Sequence, residues 1–328
     1  MSSLLFRMRN SALGADRAKP GVVKPCANPL SISTASYRTP AVLQPIQLLD
    51  LLELSGSTTA AAEALSLSQP TVSRRVRHLL RDLGLERQLH PSGHHLRYGE
   101  STCLQLLRRA SQAHRLDAGA WRLGSCPWQQ GLVQSLQPAV SLPDRFRHFS
   151  AWRVLLEARM LDAVLVSGLD LQWALPEQQA CKHDVLGWQG FVLVPISQAP
   201  LGLLIPPDKP VLLGRWSQVA VPAQRYRPGL VAMVQQQQWQ CLQAAPTCHT
   251  PHGWAQWLRR QNRPTVATPA WAQRLMPHLP GWTWQPWPGG AHEEQWLLAL
   301  RCVWDEQPVL QRLQAELRSV MRDYAVSA

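Results

Sequence analysis

Residues 48–84 carry three short helical patterns in close succession, and this arrangement constrains the fold more than any other part of the chain. The first pattern is rich in leucine and stops at Gly56. Ser57 then suits an N-cap, because its hydroxyl can accept a hydrogen bond from a free amide of the next turn. The second pattern, residues 58–65, is rich in alanine, so a further helix can pack close against it. The segment therefore predicts a three-helix unit.

The third helix of this unit is predicted over residues 69–83 and is amphipathic. Pro70 falls in its first turn, where proline is tolerated, and Gly84 follows its end. Apolar residues at helical spacing predict its buried face: Val72, Val76, Leu79, Leu80 and Leu83. Polar and basic residues project from the other face: Gln69, Thr71, Ser73, Arg74, Arg75, Arg77 and His78.

The residue types on that outer face suit the edges and backbone of double-stranded DNA. Glutamine can form two hydrogen bonds with adenine, arginine can do the same with guanine, and serine or threonine can pair with either. In a helix-turn-helix the N-terminal residues of the recognition helix enter the major groove. Basic residues further along suit phosphates, which position a protein without specifying sequence.

The charge of the chain points to a polyanionic partner. The net charge is +12 and the isoelectric point about 10.1. Between residues 71 and 115, nine arginines stand against three acidic residues. Charge and periodicity alone leave open an amphipathic helical hairpin with a solvated basic face, and basic proteins also bind anionic membranes.

Residues 56–76 resemble the DNA-binding segment of LysR-type regulators, and the run Ser-Gln-Pro-Thr-Val-Ser-Arg at 68–74 is the most specific part. The resemblance implies that Gln69, Pro70, Ser73 and Arg74 face the bases, and that Ser57 and Thr58 approach the backbone. The predicted DNA-binding set is Ser57, Thr58, Ser68, Gln69, Pro70, Thr71, Ser73, Arg74, Arg75, Arg77, His78 and Arg97.

The wing after the third helix departs from the family pattern. The segment that follows Gly84 is about two residues short and lacks the usual phenylalanine. A wing with its turn at residues 91–93 still fits, and it places His95 or Arg97 near a minor groove or phosphate. The resemblance further implies that residues 100–119 form a linker helix that pairs protomers.

The C-terminal part changes character, since all fifteen tryptophans lie after residue 120. Short apolar strands at 163–166 and 191–194 alternate with helical segments, which predicts an α/β domain with a mainly parallel sheet. Residues 308–324 predict a closing amphipathic helix. Segments 156–164 and 192–201 resemble the LysR sensor domain, which implies two α/β lobes around a cleft, like a periplasmic binding protein.

The predicted fold class is therefore α+β overall. A mainly α winged helix-turn-helix and a linker helix precede a two-lobed, periplasmic-binding-protein-like α/β sensor domain. The predicted boundaries are 1–42 for a basic, disordered extension, 43–99 for the DNA-binding domain, 100–119 for the linker helix and 120–328 for the sensor. The extension is rich in arginine and serine and poor in acids, so a transit peptide or a misplaced start site stays open.

The sensor cleft is expected at the carboxyl ends of the strands, where open α/β folds bind ligands. Ser125 and Cys126, just after the first strand, are candidate effector contacts, as are Ser150 and Trp152, just before the next helix. Free amides at a helix start would favour an anionic small-molecule effector. The alternative is that these are ordinary loop and cap residues, with Trp128 or Trp152 narrowing or filling the cleft.

Several classes of protein lack support in the sequence. Seven widely spaced cysteines, without a Cys-x-x-Cys pair, indicate free thiols in a reducing cytoplasm. No apolar stretch is long enough for a membrane helix. No motif for a nucleophile, a phosphate loop or a dinucleotide is present, so an enzyme and a cofactor are not expected. The cluster Cys241, Cys248, His249 and His252 matches no zinc spacing, so no metal is expected.

The sequence thus predicts a cytoplasmic, sequence-specific regulator that binds double-stranded DNA and senses a small molecule as a homodimer or homotetramer. Two alternatives remain open at this point. One is a ligand-binding or oligomeric interaction protein whose DNA-binding module has decayed. The other is a nonspecific DNA binder.

Overall fold

The computed structural model describes residues 37–88, 98, 101–136, 142, 145–174, 186–188, 190–207, 218–245 and 248–326. The predicted N-terminal extension therefore lies almost wholly outside the described residues. The predicted wing, with its turn at 91–93, His95 and Arg97, lies outside them as well.

The described N-terminal residues form a short 3-10 helix at Ala41–Leu43 and four α-helices. Their bounds are α1 (Gln44–Ser55), α2 (Thr58–Ala64), α3 (Gln69–Asp82) and α4 (Thr102–Asp117). Gly56 ends α1 in the left-handed region at φ 71°, a conformation that costs glycine little. Ser57 caps α2 by accepting from the Ala60 amide, and Ser68 caps α3 by accepting from the Thr71 amide. The three-helix unit predicted from residues 48–84 is confirmed.

Apolar burial holds these helices together. The leucines of α1 pack on Ala61 and Ala62 of α2 and on Val72 and Val76 of α3. The same core continues into residues of the C-terminal part, including Trp152 and Leu155. The helix-turn-helix and the domain that follows it therefore share one apolar core.

The C-terminal part contains two five-stranded sheets. The first has the order β1 (Leu123–Ser125), β2 (Ala163–Ser167), β10 (His292–Leu300), β4 (Phe191–Pro200) and β3 (Leu186–Trp188). The second has the order β7 (Gln240–Gln243), β6 (Gln218–Val221), β8 (Thr265–Ala267), β5 (Gly202–Ile205) and β9 (Thr283–Pro286). Each sheet is the centre of one lobe, and the predicted two-lobed α/β architecture is confirmed.

Helices cover these sheets on both lobes. They are α5 (Gln130–Ser135), α6 (Phe149–Glu157), α7 (Gly168–Ala174), α8 (Pro228–Gln236), α9 (Pro251–Gln261), α10 (Pro269–Leu275), α11 (Arg301–Glu306) and α12 (Pro308–Val326). The last of these is the predicted closing helix. Its residues Val309, Leu310, Leu313 and Leu317 pack on the first sheet.

The expectation of a mainly parallel sheet is wrong. β1 pairs parallel with β2, and β6 pairs parallel with β7 and β8. In contrast, β10 runs antiparallel to both β2 and β4, and β5 runs antiparallel to both β8 and β9. The reason is the route of the chain: it leaves the first sheet along β4, forms the second lobe, and returns along β10 beside β4 in the opposite direction.

Candidate nucleic-acid interface and effector cleft

The outer face of α3 is open to solvent over its first three turns. Gln69, Arg74 and Arg77 are exposed, whereas Val72 and Val76 on the opposite face are buried. The helix is held by its apolar side against α1 and α2, so its polar side is available for a partner. This is the arrangement that a recognition helix requires.

A small hydrogen-bond cluster orders the start of α3. Gln69 Nε2 donates to Thr58 Oγ1 and to Ser73 Oγ, both at 3.2 Å. Ser68 Oγ lies 2.8 Å from Thr71 Oγ1 while capping the helix. The structure therefore brings together side chains from α2 and α3 that the sequence placed in one DNA-binding set.

The basic residues of α3 divide into two strips. Arg77 continues the strip of Gln69 and Ser73, and its Nε donates to the Ser73 carbonyl at 3.4 Å. Arg75 and His78 instead line a groove of about 660 Å³ between α3 and α1. Sequence analysis grouped all of these side chains on one face, because periodicity does not show which edge of a helix lies beside a neighbour. The two strips therefore lie on different edges of α3.

Buried ion pairs fix α1 of the helix-turn-helix to the first lobe. Asp50 accepts hydrogen bonds from Arg108 Nε of α4 at 2.9 Å and from Arg122 Nη1 at 3.0 Å. Asp162, before β2, accepts from Arg115 Nε at 3.0 Å and Nη2 at 2.6 Å. All five side chains are at most 2% exposed. Hence the orientation of α3 depends on contacts outside the helix-turn-helix itself.

The predicted effector residues Ser125 and Cys126 lie where the two lobes meet. Ser125 ends β1, is buried, and donates to Gln130 Oε1 at 2.8 Å. Cys126 Sγ lies 3.9 Å from Arg227 Nη1, at the start of α8 in the other lobe. Burial raises the pKa of the Cys126 thiol to about 11, so the thiol is neutral at physiological pH.

Sequence analysis missed the charged centre of this junction. Arg227 is 2% exposed; its Nε lies 2.5 Å from Asp170 Oδ2 and its Nη2 lies 2.5 Å from Glu293 Oε1. Burial alone lowers the pKa of Arg227. The carboxylates of Asp170 and Glu293 have the larger combined effect, so the pKa of Arg227 is raised overall. Burial also raises the pKa of Asp170, against the opposing effect of Arg227. No local motif marks these residues, since they come from three separate segments.

The placement of Ser150 and Trp152 before a helix is wrong. Both lie inside α6, which begins one residue after its N-cap His148, whose ring Nδ1 accepts from the Ser150 amide. Trp152 is buried in the core shared with α1, with Arg147 stacked on its ring. Trp128, by contrast, packs among Trp254 and Trp271 of the second lobe and fills space at the junction.

Two absences concern only the described part of the chain. No group of three or more histidine, cysteine or acidic side chains there is arranged to hold a metal ion. No helix there is long and apolar enough to cross a membrane.

Comparison with known proteins identifies the N-terminal helices. Residues 43–86 match the family model described as bacterial regulatory helix-turn-helix protein, lysR family. This segment contains the whole of α1, α2 and α3 and the Gln69 cluster. No curated protein sequence is significantly similar to the chain.

Three solved structures are similar to most of the chain. The OxyR C206 mutant of Corynebacterium glutamicum is 13% identical, with a TM-score of 0.46 over 88% of this chain and 94% of that one. CbnR, a LysR family transcriptional regulator, is 15% identical, with a TM-score of 0.44 over 86% and 99%. ArgP from Mycobacterium tuberculosis is 12% identical, with a TM-score of 0.45 over 84% and 96%. Residues 43–86 of the chain are similar to the bacterial regulatory helix-turn-helix protein, lysR family.

Proposed function

We propose that this chain is a sequence-specific transcriptional regulator of LysR type that inserts α3 into the major groove of double-stranded DNA. The observation that carries the proposal is the LysR-family match over residues 43–86 together with the solvent-exposed polar face of α3. The net charge of +12 supports a polyanionic partner.

Two kinds of contact follow from the position of each side chain along α3. Gln69, Ser73 and Arg74, near the start of the helix, read base edges. Arg75, Arg77 and His78 contact phosphates, with Ser57 and Thr58 approaching the backbone from the start of α2. Ser68 and Thr71 act chiefly through the helix cap, which orders the first turn of α3 next to the DNA. Pro70 lies exposed among them, and Arg97 of the wing completes the set.

The regulator acts as a homodimer or homotetramer with residues 43–99 as its DNA-binding domain, 100–119 as its linker helix and 120–328 as its sensor. Leu106 on α4 is 58% exposed and provides an apolar contact for a second copy. The two α/β lobes support binding of a small molecule between them. The five described cysteines are free thiols, which supports a cytoplasmic location. The role is regulatory and not enzymatic.

Fluorescence anisotropy of the full chain tests this function. The probe is a duplex from its own upstream region, with a scrambled duplex of equal composition as the control, at several salt concentrations. Tighter binding to the native duplex, falling steeply with salt, is the expected result. Equal binding to both duplexes would favour a nonspecific binder, and no binding at low salt would favour the decayed module.

A further inference from the structure

The backbones of the two lobes touch at the starts of α7 and α8. A Cβ atom placed on Gly229 would lie 2.0 Å from the carbonyl oxygen of Leu169, which leaves no space between the two segments. The Gly229 amide also donates to Asp170 Oδ1 at 3.1 Å. The lobes are therefore in direct contact at the position where open α/β folds hold ligands, beyond the carboxyl ends of β2 and β6.

Arg227 crosses this contact from the second lobe into the first. Its guanidinium meets Asp170 and Glu293 at 2.5 Å and Ser167 Oγ at 3.3 Å. The guanidinium also lies over the ring of Trp128, 4.9 Å from its centroid. Proteins recognise a planar guanidinium by placing carboxylates at its edge and an aromatic ring at its face, and both features surround Arg227.

We propose that the interlobe cleft is a guanidinium-binding site that the protein fills with its own Arg227, so that an internal ligand holds the lobes together. The class of small molecule that this site recognises is a guanidinium or amidinium compound. An anionic effector does not suit it, because two carboxylates face one cation. Because Arg227 belongs to the same chain as the site, its effective concentration there is high, and free ligand does not displace it readily from the wild-type protein. The inference refines the sensor part of the proposed function.

The test is Arg227→Ala in the full chain, with guanidinium chloride at 0–50 mM as the probe and sodium chloride of equal ionic strength as the reference. We expect the melting temperature of Arg227→Ala to lie below that of the wild type. Guanidinium is expected to raise the melting temperature of the variant saturably, by about 5 °C. The wild type and Arg301→Ala, at an exposed position on α11, are expected to show no such rise. Absence of the rise in Arg227→Ala, or an equal rise in the wild type, overturns the proposal.

The thiol of Cys126 gives a second readout at the site itself. In Arg227→Ala we expect iodoacetamide to alkylate Cys126 at least about threefold faster than in the wild type, and guanidinium to restore protection. Cys103, which is exposed on α4, is the internal control and is expected not to change. If Arg227→Ala is recovered only in unfolded form, its refolding yield in guanidinium chloride is compared with that in sodium chloride, and equal yields overturn the proposal. These readouts do not involve DNA, so their failure is distinct from a failure of DNA binding.

Discussion

The carboxylate of Asp50 accepts a hydrogen bond from Arg122 Nη1 at 3.0 Å, and this buried ion pair joins the first helix of the helix-turn-helix to the first of the two lobes. Arg122 also donates from Nη1 to the Met160 carbonyl at 3.0 Å. Burial and the nearby Arg115 lower the pKa of Arg122, although Asp50 opposes that change. Any rotation of the helix-turn-helix against the first lobe must therefore break a buried charge contact.

Asp50→Ala is expected to lower the free energy of unfolding by about 3–5 kcal/mol, because it leaves the buried guanidinium groups of Arg108 and Arg122 without their carboxylate. Urea denaturation measures the change. Glu157→Ala is the control, since its ion pair with Arg153 is partly exposed and is expected to contribute under about 1 kcal/mol. A loss below about 1 kcal/mol in Asp50→Ala would contradict the buried contact.

Arg74→Ala is expected to weaken binding to the specific duplex by about 1–3 kcal/mol and to relax preference at one base pair. Arg77→Ala should weaken all duplexes alike and lower the slope of log affinity against log salt by about one. Anisotropy with single-base-pair variants of the duplex separates the two effects, and Arg301→Ala on α11 is the control. Unchanged sequence preference in Arg74→Ala would mean that another edge of α3 reads the bases.

Gly229→Ala is expected to destabilise the fold by at least about 2 kcal/mol, because its Cβ would meet the Leu169 backbone, which cannot move as a side chain does. Gly168→Ala is expected to destabilise the fold less than Gly229→Ala does, since its Cβ would lie 2.9 Å from a side chain, that of Glu294. Thermal and urea denaturation of both variants measure the difference. If Gly229→Ala is as stable as the wild type, the lobes do not approach as closely as described.

Cys126 is expected to react with iodoacetamide at pH 8 more slowly than the exposed Cys103 and Cys302, because burial raises its pKa to about 11 and leaves little thiolate. The folded state thus holds this proton more tightly than the unfolded state does. Its contribution to stability is complete below the ordinary thiol pKa of 9.0 and is lost as the pH rises towards 11. Mass spectrometry of the alkylated peptides gives the rates, and an equal rate at Cys126 and Cys103 would refute the assignment.

The helix-turn-helix could be predicted because the signals that define it are local. Gly56, Ser57, Ser68 and Pro70 mark helix ends through contacts with residues at most a few positions away. The buried face of α3 follows from apolar spacing, which one helix carries by itself. For the same reason the closing helix at Pro308–Val326 could be recognised.

The sheet directions and the junctions could not be predicted in this way. The route of the chain between the lobes makes β4 and β10 antiparallel, and neither strand carries a signal for its partner. Helical periodicity also predicts Arg75 and Arg77 on one face of α3. In the structure Arg75 lies in the groove beside α1, whereas Arg77 lies beside Ser73.

The sequence by itself therefore determined the DNA-binding unit, its caps and its basic outer face, because hydrogen bonds and apolar spacing within about 40 residues suffice for them. Only the tertiary structure decided which charges meet. Asp50 and Arg122 are 72 positions apart, and Arg227 and Glu293 are 66 apart. A buried charge is stabilised by whichever opposite charge the packing brings within hydrogen-bond distance, and that choice depends on the arrangement of whole elements in space.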